Sequence, residues 1–128
     1  MSLKPLPSLF ALAALYASAQ AQAACSYPKA PASLPDGNTA KMEDMVAAQK
    51  AVKQYDADIN AYISCIKLEH DSQIAATGDA MTPEQKQDAE RMQVQRHNAA
   101  IDELEAVASR FNEQVRVYKA KNDAAKKK

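Results

Sequence analysis

Apolar residues recur between positions 45 and 66 with the period of a helix packed along one side. Met45, Val52, Ile59 and Ile66 fall at every seventh position, and Ala48, Tyr55 and Tyr62 follow three further on. An a/d pattern held over several heptads predicts a helix over about 40–76. Asn38 or Thr39 is its expected cap, and Glu43 with Asp44 suits the positive end of the helix dipole. A second row, Val94, Ile101, Ala108 and Val115, has His97, Leu104, Phe111 and Tyr118 as its companion. Its start is marked more sharply. Thr82-Pro83-Glu84-Gln85 supplies a capping Thr, a Pro at the first helical position and a Gln that closes a capping box. The second helix is expected over about 83–121, with 123–128 fraying as a basic tail.

Two long helices joined by a short link around Gly78 pack antiparallel. In that register Ile59 faces His97, Tyr55 faces Ile101, Val52 faces Leu104 and Met45 faces Phe111. Val46, Ile63, Ala100 and Val107 then remain as apolar material beside the seam. The expected fold is all-α: an antiparallel two-helix hairpin of coiled-coil type spanning 40–122, preceded by an extended Pro-rich segment over 24–39. Pro28, Pro31 and Pro35 hold that segment in extended geometry until Asp36-Gly37-Asn38 turns it.

Composition agrees with helices. The 128-residue chain has two Gly, no Trp and 5% aromatic residues, too little turn and strand chemistry for a β-sandwich or a dinucleotide-binding fold. Sixteen basic residues balance sixteen acidic ones, so charge gives no reason to expect a nucleic-acid partner. The distribution is uneven, however. Residues 24–115 hold nine basic and fifteen acidic residues, and 116–128 hold six basic residues against Asp123 alone. The basic end reads first as a solubilising helix terminus whose lysines complement the dipole, ahead of a surface for anionic headgroups or wall polymers.

The first 23 residues have the layout of an export signal. Lys4 precedes the apolar run Leu9–Leu15, and Ala21 and Ala23 provide small residues at a cleavage site. The apolar run is far shorter than the ~20 residues that span a bilayer. Cleavage near Ala23 is therefore expected, with no transmembrane anchor in the mature form and a periplasmic or secreted location in a bacterium.

Export changes the reading of the two cysteines. In an oxidising compartment Cys25 and Cys65 are expected to pair. Counted from Thr39, Cys65 lies ~39 Å along a helix, and the stretch from Cys25 to Thr39 spans ~43 Å at the polyproline rise. The Pro-rich segment can thus turn at Asp36-Gly37, run back along the first helix and be pinned there by a disulfide. Lipidation of Cys25 and a disulfide between two chains are the competing outcomes.

Candidate chemistry is sparse. His70, in Glu69-His70-Asp71, is the best nucleus for a metal- or ligand-binding module with nearby carboxylates. His97 lies ~15 Å along from the point facing it at the helical rise, so the two histidines do not share an ion in one hairpin. Asp56, Asp58, Asp102, Glu103 and Glu105 belong to polar helix faces rather than to a pocket that would shift a pKa. There is no Gly-rich phosphate loop and no nucleophile motif. No catalytic residue, metal ligand set or cofactor is assigned, and a non-enzymatic protein is expected.

The run Cys25-Ser26-Tyr27-Pro28-Lys29-Ala30-Pro31, with Leu34-Pro35-Asp36-Gly37-Asn38-Thr39-Ala40, then Met45, Tyr55, Tyr62 and Cys65, resembles a group of small secreted, periplasmic helical proteins of Proteobacteria. Arg91, Arg96-His97-Asn98-Ala99-Ala100-Ile101 and Phe111-Asn112-Glu113-Gln114-Val115 extend the resemblance over nearly all the mature chain. It implies export and a helical form, and no activity or substrate. The expected function is contact with protein: an envelope partner, or self-association into a four-helix bundle that covers the flanking apolar positions.

Overall fold

A computed structural model describes residues 24–128; the expected signal over 1–23 and its cleavage point lie outside them. Two helices make up most of what is described. α1 spans Met42–Thr77 and α2 spans Pro83–Lys126, with one 3-10 turn at Gly78–Ala80 between them. Thr82 caps α2 as its chemistry dictates. Its hydroxyl accepts from the Gln85 amide at 3.2 Å, and the Gln85 side chain accepts from the Thr82 amide at 2.9 Å.

α1 starts later than expected. The Asp36 carbonyl accepts from both the Thr39 and Ala40 amides, and its carboxylate accepts from the Asn38 amide at 2.8 Å. Asn38 and Thr39 are therefore spent in a turn organised by Asp36. The cap falls to Lys41, whose amide donates to the Asp44 carboxylate at 3.0 Å. The C-terminal end differs too: residues 123–126 are helical instead of frayed. Ala120, Ala124 and Ala125 favour helix, Lys126 complements the dipole, and Lys121 holds the last turns by donating to the Asn38 carbonyl at 3.1 Å.

The α1 seam is the expected one, with Met45, Ala48, Tyr55, Ile59, Tyr62 and Ile66 buried. Ile59 and Ile66 are fully enclosed. The α2 seam is turned by one position. Phe111 is buried, with Leu104 and Tyr118 packed against the core, but the companion places belong to Ala100 and Val107 rather than Ile101 and Ala108. Ala100 and Val107, expected as surplus beside the seam, are core. Ile63 packs partly against the core, and Val46 alone of the four stays exposed.

The cause is a third neighbour. Cys25 and Ala30 pack on the cluster around Ile59 and Val107, and Leu34 and Ala40 on the cluster around Met45 and Phe111. α2 thus faces α1 on one side and residues 24–41 on another. A helix with two neighbours buries a broader arc than a two-stranded seam does. Cys25 and Cys65 form a disulfide with a Cα–Cα distance of 5.8 Å. Among the described residues no helix is long and apolar enough to cross a membrane.

Candidate functional site

Side chains of differing chemistry gather in two places, both set by where the core ends. Between Ile66 on α1 and Ala100 on α2, Gly78, in the turn itself, is the one buried position. The helices there carry on past their last packed layer and leave an open cleft of about 580 Å³. Ile66, Ala80, Met81, Ala89 and Met92 give it an apolar floor; Gln73, Gln85 and Gln93 stand among them. Met92 is 62% exposed, a large apolar side chain at a site the fold does not need filled.

The inner end of the cleft is closed by an ion pair. Arg96 donates to the Glu69 carboxylate at 2.9 Å and to the Tyr62 hydroxyl at 3.3 Å, with its guanidinium 5.7 Å from the Tyr62 ring centre. These two hydrogen bonds, the one to Tyr62 first, hold Arg96 more firmly protonated than usual. Both partners of the pair are partly exposed, so its worth lies in fixing Arg96 at this end of the cleft more than in stability.

His70 lines the same cleft. Its Nδ1 lies 3.4 Å from the Asp71 carboxylate, and its Nε2 is buried without a hydrogen-bond partner. Asp71 is pulled below the usual carboxylate range, by its bond to Lys67 first and by His70 second. Among the described residues no three His, Cys, Asp or Glu side chains converge as a metal site. His97 makes a separate local contact with Asn98 at 3.3 Å.

The second gathering lies under the disulfide. The Tyr27 ring meets Tyr62 edge-on, 5.0 Å between centres, and its hydroxyl donates to the Glu103 carboxylate at 2.9 Å. The Tyr55 hydroxyl is buried nearby with no partner of its own. Desolvation, with the Glu103 contact second for Tyr27, pushes both phenols above their ordinary value. A raised phenol pKa means that the folded state holds the proton more tightly than the unfolded one. This contribution is complete below pH ~10, the ordinary tyrosine value, and is lost as pH rises through the folded-state values. Alkaline titration should therefore show delayed phenolate absorbance that arrives together with loss of helicity. Tyr27→Phe should flatten that alkaline loss; unchanged steepness would refute the assignment.

Of the residues singled out from sequence, Cys25 and Cys65 are joined and His70 faces the cleft. Asp56 and Asp58 pair only locally, with Asn60 and Gln54. Glu103, read as surface, is a partner for Tyr27. The Glu69–Arg96–Tyr62 set was missed, although an Arg one position before a seam residue and a Tyr on the facing seam is a signal for such a contact. Comparison of the chain with family models, curated proteins and solved structures finds no match.

Proposed function

We propose that this chain is a non-enzymatic helical-hairpin protein of the bacterial envelope, exported after cleavage near Ala23, which works by contact in interaction, assembly or chaperone-like binding. The Pro-rich segment over 24–39 serves as an extended strap, pinned to α1 by the disulfide, that closes one side of the hairpin and leaves its tip free. The disulfide suits an oxidising compartment.

The observation that carries this reading is the tip cleft with Met81 and Met92. Unbranched thioether side chains repack around partners of differing shape, and the glutamines among them offer donors and acceptors to a peptide backbone. A photoreactive residue at position 92 of the exported chain should capture an envelope protein. The same residue at exposed Lys50, outside the cleft, should not, and Met81→Asp should abolish the capture. Equal labelling from positions 92 and 50 would overturn the proposal.

One observation favours a second reading, a metal- or ligand-binding module at His70: its buried Nε2 has no partner and lines that cleft. Stoichiometric metal in protein purified from the periplasm, abolished by His70→Ala, would select it over protein contact.

A further inference from the structure

α2 carries an apolar row that its own chain covers only at one end. Val94, Ile101, Ala108 and Val115 recur at every seventh position, the spacing that a seam between helices requires. Inside the chain, Ala100, Val107 and Phe111 are buried instead. Ile101 and Ala108 are only half-buried and belong to neither core cluster, Val94 is 45% exposed, and Val115 keeps part of its surface open while packing partly on the cluster of Met45 and Phe111. Ile101 and Ala108 stand two positions from Glu103 and Arg110, about 200° round the helix. Glu103 bonds Tyr27, and Arg110 borders residues 31–36. The row therefore looks away from the N-terminal segment. Ala108 and Val115 line a shallow depression to which neither α1 nor residues 24–41 contribute.

Charge along α2 says what fits there. Residues 83–107 hold six acidic and three basic residues, and 108–128 hold two acidic and seven basic. A helix acidic in its first half and basic in its second complements a copy of itself running the other way. Placing a two-fold axis between Leu104 and Glu105 sets Val94 against Val115 of the second copy and the bulky Ile101 against the small Ala108. The same operation brings Glu90 level with Lys119 of the second copy and sets Glu84 one position from its Lys126. A parallel pair would instead stack the lysine-rich ends. Glu105 alone meets its own copy beside the axis.

We propose that this face of α2 is a self-association surface that pairs two copies of the chain antiparallel through Val94, Ile101, Ala108 and Val115. It uses a different face from the tip cleft, so its failure leaves the contact proposal standing, and the reverse.

Sedimentation equilibrium of the exported, disulfide-closed chain should give a monomer–dimer equilibrium with a dissociation constant on the order of micromolar. Ala108→Glu should weaken it by about tenfold or more, because a charge is placed in the apolar row. Glu90→Lys and Lys119→Glu are at exposed positions. Each should weaken the dimer severalfold, the two together in one chain should restore it, and Glu105→Gln should tighten it. Thiol cross-linking should join Val94→Cys to Val115→Cys when the two variants are mixed. A chain still monomeric at about a hundred times that concentration, a dimer indifferent to Ala108→Glu, no rescue in the charge swap, or cross-linking of Val94→Cys only to itself would each overturn the proposal.

Discussion

Removing the Cys25–Cys65 bond is expected to lower the unfolding free energy by about 4 kcal/mol, the chain-entropy value for a closed loop of this size. The two cysteines are 40 positions apart in sequence. Bridging them removes many open conformations from the unfolded ensemble, and that is where the stabilisation arises. For a domain of this length such a loss corresponds to a fall of roughly 15 °C in Tm. The folded-state contacts should respond unequally. The helix seams through Ile59, Ile66, Val107 and Phe111 do not need the bond, so helicity at low temperature should be retained. The contacts made by Cys25, Tyr27 and Ala30 on the Ile59 cluster depend on the segment's remaining in place. Thermal melts by circular dichroism, with and without reductant, should show the shift in the native chain. A Cys25→Ser/Cys65→Ser chain should melt at the lower temperature and ignore reductant. An unchanged midpoint on reduction would refute the stabilising role.

Gly37→Ala is expected to cost about 2–3 kcal/mol, which is large for the addition of one methyl group. The reason is close approach. The φ of Gly37 is not positive, so an alanine could adopt its backbone conformation. A Cβ there would, however, lie 2.2 Å from the Gln114 carbonyl oxygen, 2.8 Å from the Tyr118 nitrogen and 3.0 Å from the Val117 Cβ. Two of these atoms belong to the α2 backbone, which has no rotamer to change. The turn must lift away instead, and the hydrogen bond from the Gly37 amide to the Gln114 side chain, 2.8 Å, is lost with it. Gly78 provides the control within the same chain. A Cβ there meets only Ile74 Cγ2, at 3.4 Å, and the residue has helical φ and ψ. Gly78→Ala should be neutral or stabilise by up to about 1 kcal/mol, by restricting the unfolded chain. Denaturant midpoints for the two variants should move in opposite directions; similar losses for both would count against the close-approach account.

How far the fold was legible depended on where residues 24–41 meet each helix. They meet α1 at Tyr62 and Cys65, on or beside the heptad rows that it turns to α2, and Met45 through Ile66 read correctly from spacing alone. α2 has two neighbours, and two apolar rows compete for the inner arc. Spacing ranked Ile101 and Ala108 above Ala100 and Val107 because it carries no information about a segment of irregular backbone packed on the other side. Gly37 was legible as a turn residue, but its reason was not, since close approach to Gln114 and Tyr118 is a tertiary fact. The same holds for the cap of α1: the Asp36 carbonyl competes for the Thr39 and Ala40 amides, and local propensity alone cannot rank that competition. The tip cleft was invisible because it arises where the core stops, between Ile66 and the turn, while both helices continue.

Cys25, the turn at Asp36–Asn38 and Cys65 all precede Pro83, the first residue of α2. The covalent ring made by the disulfide contains no residue of α2. On the proposed export route the ring can close before the second helix has emerged, and α2 then docks as a unit on a scaffold whose two edges are already tied. Unfolding should reverse that order. α2 can peel away from an intact ring, so native-state hydrogen exchange should show its amides opening at lower free energy than those of α1 between Met45 and Ile66.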